Sequence, residues 1–301
     1  MSSAAFFLRL LIRAYTFPYR RAHRSLSRSV KPHACRYSPP DGFDYKVVRF
    51  GGVRTEILLP PGAEGAILQF HGGGHTNGMN DMYWRTAERL ARLCSCTVYS
   101  IDYDAAHGLE FPAVHEQCYR AYAAIVDEVP AIAAIGDSFG AALMLSCCLK
   151  ARDDGAGLPC ALVCVSPFAD MAASGDSYRY NAHRDPMYAL PLWQSFERYE
   201  SCIRRVSPYC GKTPLTDAYL SPAYADLSGF PDMLIIGGEL ETSASDGRML
   251  LQNAQKSGVR CRLHEYAGMW HDFCYMFPKL KESRQAWAEV VEFFCGRINK
   301  S

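Results

Sequence analysis

The feature that most constrains the fold is a short stretch, Gly136, Asp137, Ser138, Phe139 and Gly140, set between an apolar strand-like run, Ile132 to Gly136, and a helical run, Ala141 to Leu149. A backbone that turns this sharply from strand to helix strains the central residue and brings neighbouring chain close, so residues without Cβ are needed on either side. The same turn leaves Ser138 Oγ projecting at the end of a strand. By itself GxSxG is a weak signal that arises by chance. An ordinary glycine-bearing strand-to-helix turn competes with it unless other residues support a nucleophile.

The rest of the chain supplies a frame for that turn. From about Tyr45, short apolar stretches bounded by turn residues read as strands at Val47 to Phe50, Val53 to Leu59, Ala66 to Phe70, Thr97 to Tyr103, Ile132 to Gly136, Ala161 to Val165, Met233 to Ile236 and Arg260 to Tyr266. Helical periodicity lies between and after them, at Tyr83 to Leu93, Ala113 to Val126, Ala141 to Leu149 and Ala286 to Phe294. This alternation predicts a largely parallel sheet flanked by helices. It stops between Ser166 and Phe230, a segment rich in tyrosine, proline and polar residues with one helical stretch near Trp193, Phe196, Tyr199 and Ile203. That segment reads as an insertion, a cap. The expected organisation is a basic N-terminal segment, 1–44, a first core part, 45–166, the cap insertion, 167–230, and a second core part, 231–301.

Composition narrows the function classes. A chain of 301 residues that is 49% hydrophobic and 21% charged is a globular protein able to bury a sizeable core. A net charge of +1 provides no field to gather phosphate backbones, and no nucleic-acid module interrupts the sequence, so nucleic acid is not an expected partner. The 13 cysteines are odd in number and irregularly spaced, several of them within apolar runs such as Leu145 to Leu149 and Leu162 to Val165. They read as buried free thiols in a reducing, cytoplasmic compartment. Cys94 and Cys96 lack the paired spacing of a zinc site, and no structural metal is expected.

Two further motifs carry chemistry. His71, Gly72, Gly73, Gly74 and His75 follow an apolar strand and can offer unobstructed backbone N–H groups to a developing oxyanion. A phosphate-cradling loop would need a following lysine, and a metal site through His71 and His75 finds no HExxH in the chain. Late in the chain, Gly268, Met269, Trp270, His271, Asp272 and Phe273 lie between the last predicted strand and the C-terminal helix. Serine, acid and histidine in that chain order is one of the arrangements in which a nucleophile, its base and an orienting carboxylate recur.

Together these motifs resemble the hormone-sensitive lipase family of α/β hydrolases, marked by HGGG, GDSxG and a late histidine in a GMxHxF setting. The likeness continues through Asp102 and Tyr103 to Phe111, Pro112 and Ala113, through Ser174 to Arg179, and through Ser221, Pro222 and Tyr224 to Gly229. It covers nearly everything after residue 45. The resemblance implies an α/β-hydrolase fold with a helical cap, Ser138 as nucleophile, His271 as base, and oxyanion donors from the N–H groups of Gly73, Gly74 and Phe139. It implies no cofactor, a cap built from the N-terminal segment and the insertion, and a small ester as substrate. For the acid, Glu239, Glu241 and Asp246 compete; alignment to the family's acid motif selects Glu241, with Glu239 in a supporting role and Asp246 capping or facing solvent on the following helix.

Departures from the family pattern matter as well. Phe139 stands where a small residue is usual, which leaves the backbone donor intact but narrows the pocket and favours short to medium acyl groups. Asp102, Tyr103 and Asp104 replace the common Asp-Tyr-Arg, followed by His107 and Gly108 where proline and glutamate are frequent. The N-terminal segment carries Arg9, Arg13, Arg20, Arg21, Arg24, Arg28, Lys31 and Arg36 before the first acid, Asp41, with Phe6, Phe7, Leu10, Leu11 and Ala14 at helical spacing. Arg9 and Arg13 interrupt any run long enough for a membrane span. A cap helix is the favoured reading; a transit peptide and an interfacial helix giving peripheral membrane contact stay open beside it. The same residues serve an amidase, a lactonase or a non-catalytic ligand-binding member of the fold, and the resemblance leaves room for a homodimer.

Overall fold

The computed structural model describes residues 1–21, 37–74, 77–103, 109–129, 131–188 and 208–298, with side chains described through residue 16 in the first of these. Eight strands appear where the apolar runs predict them: β1 (Asp44–Phe50), β2 (Val53–Leu59), β3 (Gly65–Phe70), β4 (Cys96–Ile101), β5 (Ile132–Asp137), β6 (Ala161–Val165), β7 (Asp232–Gly238) and β8 (Cys261–Tyr266). The helices are α1 (Ser3–Arg21), α2 (Asp81–Cys94), α3 (Ala113–Glu128), α4 (Ser138–Asp154), α5 (Ser177–Tyr180), α6 (Ala244–Lys256), α7 (Phe273–Met276) and α8 (Lys281–Ile298). The fourth strand ends earlier than the sequence suggests. The Asp102 amide still donates in register to the Arg54 carbonyl of β2 (2.9 Å), and Tyr103 lies beyond this last contact.

One sheet holds the strands in the order β1-β2-β4-β3-β5-β6-β7-β8. β2 runs antiparallel to both neighbours, and β3 to β8 are parallel. A parallel sheet needs helices on both faces, which accounts for strands buried along their whole length, as β5 is. Period-two alternation then divides the core. Leu68, Phe70 and Ala134 point toward α3, α4 and α6, whereas Ile67, Ala133, Ile135 and Val163 point toward α2 and α8. α4 is apolar on nearly every side, through Leu143, Met144, Leu145, Cys147 and Cys148, because it is enclosed between sheet, α3 and the insertion.

Between β6 and β7 the described residues hold only α5 and two single 3-10 turns, at Pro208–Cys210 and Pro222–Tyr224. The expected helical stretch near Trp193 and Ile203 lies outside the described residues. α1 buries Ala5 and Ile12 against the body, and Ser2 Oγ donates to Glu282 of α8 (2.9 Å). The insertion meets α1 where Arg13 donates to the His183 carbonyl (3.1 Å) and Thr16 Oγ1 to the Pro186 carbonyl (2.9 Å).

A close approach of backbone to backbone lies beneath α4, where a Cβ on Gly140 would stand 2.4 Å from the Phe70 and His71 carbonyl oxygens. Both are backbone atoms and have little room to yield. Gly140→Ala is therefore expected to lower unfolding stability by about 3 kcal/mol, read from urea denaturation at constant m; a change within error would show that β3 and α4 separate easily.

Candidate active site

The β5-to-α4 turn has the geometry its residues require. Ser138 sits at φ +50, a region that L residues enter only at a cost of about 1–3 kcal/mol when surrounding structure imposes it. The imposition comes from both glycines. A Cβ on Gly136 would lie 2.6 Å from the Gly140 carbonyl oxygen, and Gly140 is itself pressed against the end of β3. Ser138 is only 7% exposed, with its hydroxyl turned to the loop after β8.

That loop brings His271 to the serine. Nε2 stands 2.9 Å from Ser138 Oγ, and Nδ1 stands 3.1 Å from Glu241 Oε2. Glu241 is 1% exposed, yet its second oxygen is well supplied: Ser166 Oγ donates to Oε1 (2.8 Å), and so does the Gly238 amide. A buried carboxylate so held needs no water. The acid and histidine loops are stitched together by the Leu240 amide, which donates to the Met269 carbonyl (2.9 Å). Gly238 permits this, since a Cβ there would meet the Met269 and Trp270 backbone at 2.5 to 2.7 Å. Burial alone would lower the pKa of His271, but Asp272, Glu241 and Asp185 outweigh it and hold the imidazole above the usual histidine range.

The glycine loop lies across from this contact. Gly73 (φ +102) and Gly74 (φ +59) occupy backbone regions natural only to glycine. The loop is anchored from below. Asp137 Oδ1 accepts from the Gly72 amide (3.0 Å) and Oδ2 from Tyr83 OH (3.1 Å), while Tyr103 OH donates to the His71 carbonyl (2.5 Å) and its ring stacks on His71 at 3.9 Å. Burial, with Asp272 nearby, pushes the Asp137 carboxyl well above the usual range. Phe139 turns its ring into the core, edge-on to Tyr209 of the insertion (4.9 Å) and to Tyr103 (6.4 Å). His75, Asp104, His107 and Gly108 lie outside the described residues.

Ser138, Glu241 and His271 are thus brought together; Phe139 follows the serine in the first turn of α4, and Gly73 and Gly74 follow Gly72, whose amide is bonded to Asp137. Asp246 corrects the expectation of a helix cap or a solvent-facing group. It is fully buried and accepts from the Ala169 and Asp170 amides (2.8 and 3.0 Å) and Tyr178 OH (3.1 Å), tying the start of the insertion to α6. Glu239 accepts from the Gly268 amide (2.9 Å) and so braces the turn before His271. Sequence reasoning assigned no role to Asp137, Ser166 or Asp272. The first and third adjoin the serine and the histidine in sequence, which was the available signal; Ser166 carried none.

An eight-stranded sheet in this order, with a serine on a strained turn after its fifth strand, defines the class of α/β hydrolases. The alpha/beta hydrolase fold family matches residues 67–275. The chain is 31% identical over 245 residues to an acetyl-hydrolase of Streptomyces hygroscopicus, spanning 80% of this chain and 79% of that protein. To an esterase of Acinetobacter venetianus it is 26% identical over 271 residues, 88% and 87% of the two chains. The crystal structure of EstE7, a hormone-sensitive lipase homologue from a metagenome library, superposes with a TM-score of 0.82 at 29% identity, covering 99% of each chain. The chain belongs to the α/β-hydrolase fold family, on its hormone-sensitive-lipase-like side, and is an enzyme of the ester-hydrolase class.

The two acids make different predictions. Glu241→Ala is expected to cut kcat by about 10³-fold or more with the fold intact, because an unoriented imidazole loses its tautomer. Asp246→Ala is expected to lower unfolding stability by about 2 kcal/mol or more, since two amides and a phenol lose a buried acceptor. Parallel kinetics and denaturation separate the cases; loss of turnover with full stability in Asp246→Ala would reverse the assignment.

Proposed function

We propose that the protein cleaves carboxylic esters of short to medium acyl chains through an acyl-enzyme on Ser138. The observation that carries this reading is the unbroken relay of Ser138, His271 and Glu241 at 2.9 and 3.1 Å. His271 Nε2 removes the serine proton as Oγ attacks the ester carbonyl, and the amides of Gly73, Gly74 and Phe139 receive the oxyanion. The alcohol leaves with the proton from His271. Water, deprotonated by the same nitrogen, then releases the acid, while Glu241 keeps the Nδ1 proton in place and stabilises the imidazolium. The preference for small acyl groups is supported by a relative named acetyl-hydrolase.

The N-terminal segment and the insertion form the cap in this reading. Support comes from the contacts of Arg13 and Thr16 with residues 183–186, and from the Tyr188 ring, edge-on to His271 at 5.0 Å. Initial rates on p-nitrophenyl esters from acetate to palmitate test the whole proposal. Turnover is expected to fall with chain length, and Ser138→Ala and His271→Ala to lose about 10⁴-fold or more. Absence of turnover on every ester would leave amide or lactone cleavage, or ligand binding, as the better reading.

A lipid-docking reading of α1 has one observation in its favour. Phe6, Phe7, Leu10, Leu11 and Tyr15 stand 41 to 68% exposed along one side of the helix, opposite buried Ala5 and Ile12. No described helix is long and apolar enough to cross a membrane, so the contact would be interfacial. Phe7→Glu with Leu11→Glu is expected to abolish sedimentation with phosphatidylserine vesicles and to spare soluble-ester turnover; equal sedimentation of both proteins would remove this reading.

A further inference from the structure

His271 faces a second carboxylate that the ester-cleavage scheme does not use. Asp272 Oδ2 lies 3.3 Å from Nε2, the nitrogen that also faces Ser138 Oγ. With Glu241 on Nδ1, the imidazole stands between two acids. Asp272 adopts φ +54, a conformation natural to glycine, and is locked there as its amide donates to Ser166 Oγ (3.0 Å). Its side chain is 11% exposed, and Oδ1 has no hydrogen-bond partner among the described residues. A strained, desolvated carboxylate with one oxygen unsatisfied opposes folding. The polar groups around it include Nε2 of His271, at 3.3 Å, and the Ser166 hydroxyl.

We propose that Asp272 acts on His271 Nε2 as a counter-carboxylate to Glu241, making the imidazole a stronger base and moving the enzyme's working range to alkaline pH. The inference rests on His271 being the general base. An anion beside Nε2 favours the imidazolium whenever it forms, and this has two effects of opposite sign. In the resting enzyme more His271 is protonated at neutral pH and cannot take the serine proton. Once deprotonated at higher pH, it takes that proton more readily, since the imidazolium is then held from both sides. Asp272 is thus a positioning residue that acts through the histidine.

The surroundings do not cancel the effect. Glu241 and Asp185 add negative charge on the acid side of the ring. Asp137 at the end of β5, Tyr83 of α2, and Cys274 and Tyr275 of α7 face Asp272 from the core, all of them anionic or neutral groups whose ionisation burial resists. Ser166, after β6, supplies a hydrogen bond that favours the Asp272 carboxylate. Burial, with Glu241 and Asp185, lifts the carboxyl's own pKa to about 7 against the pull of His271 and Ser166, so the anion is fully formed only on the alkaline side of neutrality.

Asp272→Asn keeps the shape and tolerates the left-handed backbone, while Asp272→Gly relieves it, so at least one variant folds. In kcat/KM for p-nitrophenyl acetate against pH, both are expected to move the acid-limb midpoint down by about one unit or more, about a tenfold larger basic fraction below it. The alkaline plateau is expected to fall several-fold. Midpoints within about 0.3 unit of wild type would overturn the proposal. The His271 ring resonances, assigned by NMR against His271→Ala, provide a readout independent of turnover: their titration midpoint should fall in the same variants, and an unmoved midpoint overturns the proposal. A falling NMR midpoint in a protein that turns over no ester would sink the esterase reading and keep the Asp272 contact.

Discussion

Most of the site depends on one backbone contact, the seating of Gly140 in the first turn of α4 against the carbonyls that end β3. That contact forces the chain through φ +50 at Ser138 and sets the nucleophile beside the glycine loop that β3 feeds. The register of β3 with β5, pairing Phe70 with Gly136, places both turns at one end of the sheet. Parallel pairing of β5, β6, β7 and β8 then delivers Ser166, Glu241 and His271 to the same end from successive strands. In open parallel sheets, groups at the carboxyl ends of strands converge on one crevice.

Around that crevice the protein replaces water with its own amides. Glu241, Asp137, Asp246 and Asp185 are all buried acids, and each accepts at least one backbone N–H. An acid held this way is a spacer of fixed length between two loops. Asp137 links β5 to the glycine loop, Asp246 links α6 to the start of the insertion, and Glu241 links the acid loop to the histidine. The same chemical device joins separate segments in two cases and meets the imidazole in the third.

The strands, the core helices and the turn around Ser138 were legible because local pattern specifies them: apolar runs with period two, helical spacing, and glycines on either side of the turn. Local pattern left three acids, Glu239, Glu241 and Asp246, in competition, and only the family resemblance pointed to Glu241, the one that meets His271. What escaped depends on contacts distant in sequence. Ser166 reaches Glu241 across 75 positions, and nothing near it announces the bond. The sequence places Asp246 on the helix after Glu241, capping it or facing solvent; its burial is decided by the Ala169 and Asp170 amides of another segment. Tyr103 was assigned to a strand on its β-forming side chain, but its hydroxyl is drawn to the His71 carbonyl.

Asp185 ties the insertion to the loop that carries Glu241. It accepts from the Thr242 amide at 3.0 Å, beside Glu241, and from the Met187 amide at 2.8 Å, one residue ahead of Tyr188, whose ring is edge-on to the imidazole. Asn181 joins it by donating to the Glu239 and Glu241 carbonyls at 2.9 and 2.8 Å. Residues 181–188 and the loop that carries Glu241 are therefore one hydrogen-bonded piece. A swing of this part of the insertion would pull Glu241 away from His271, so any movement of the insertion that spares their contact has to hinge outside residues 181–188.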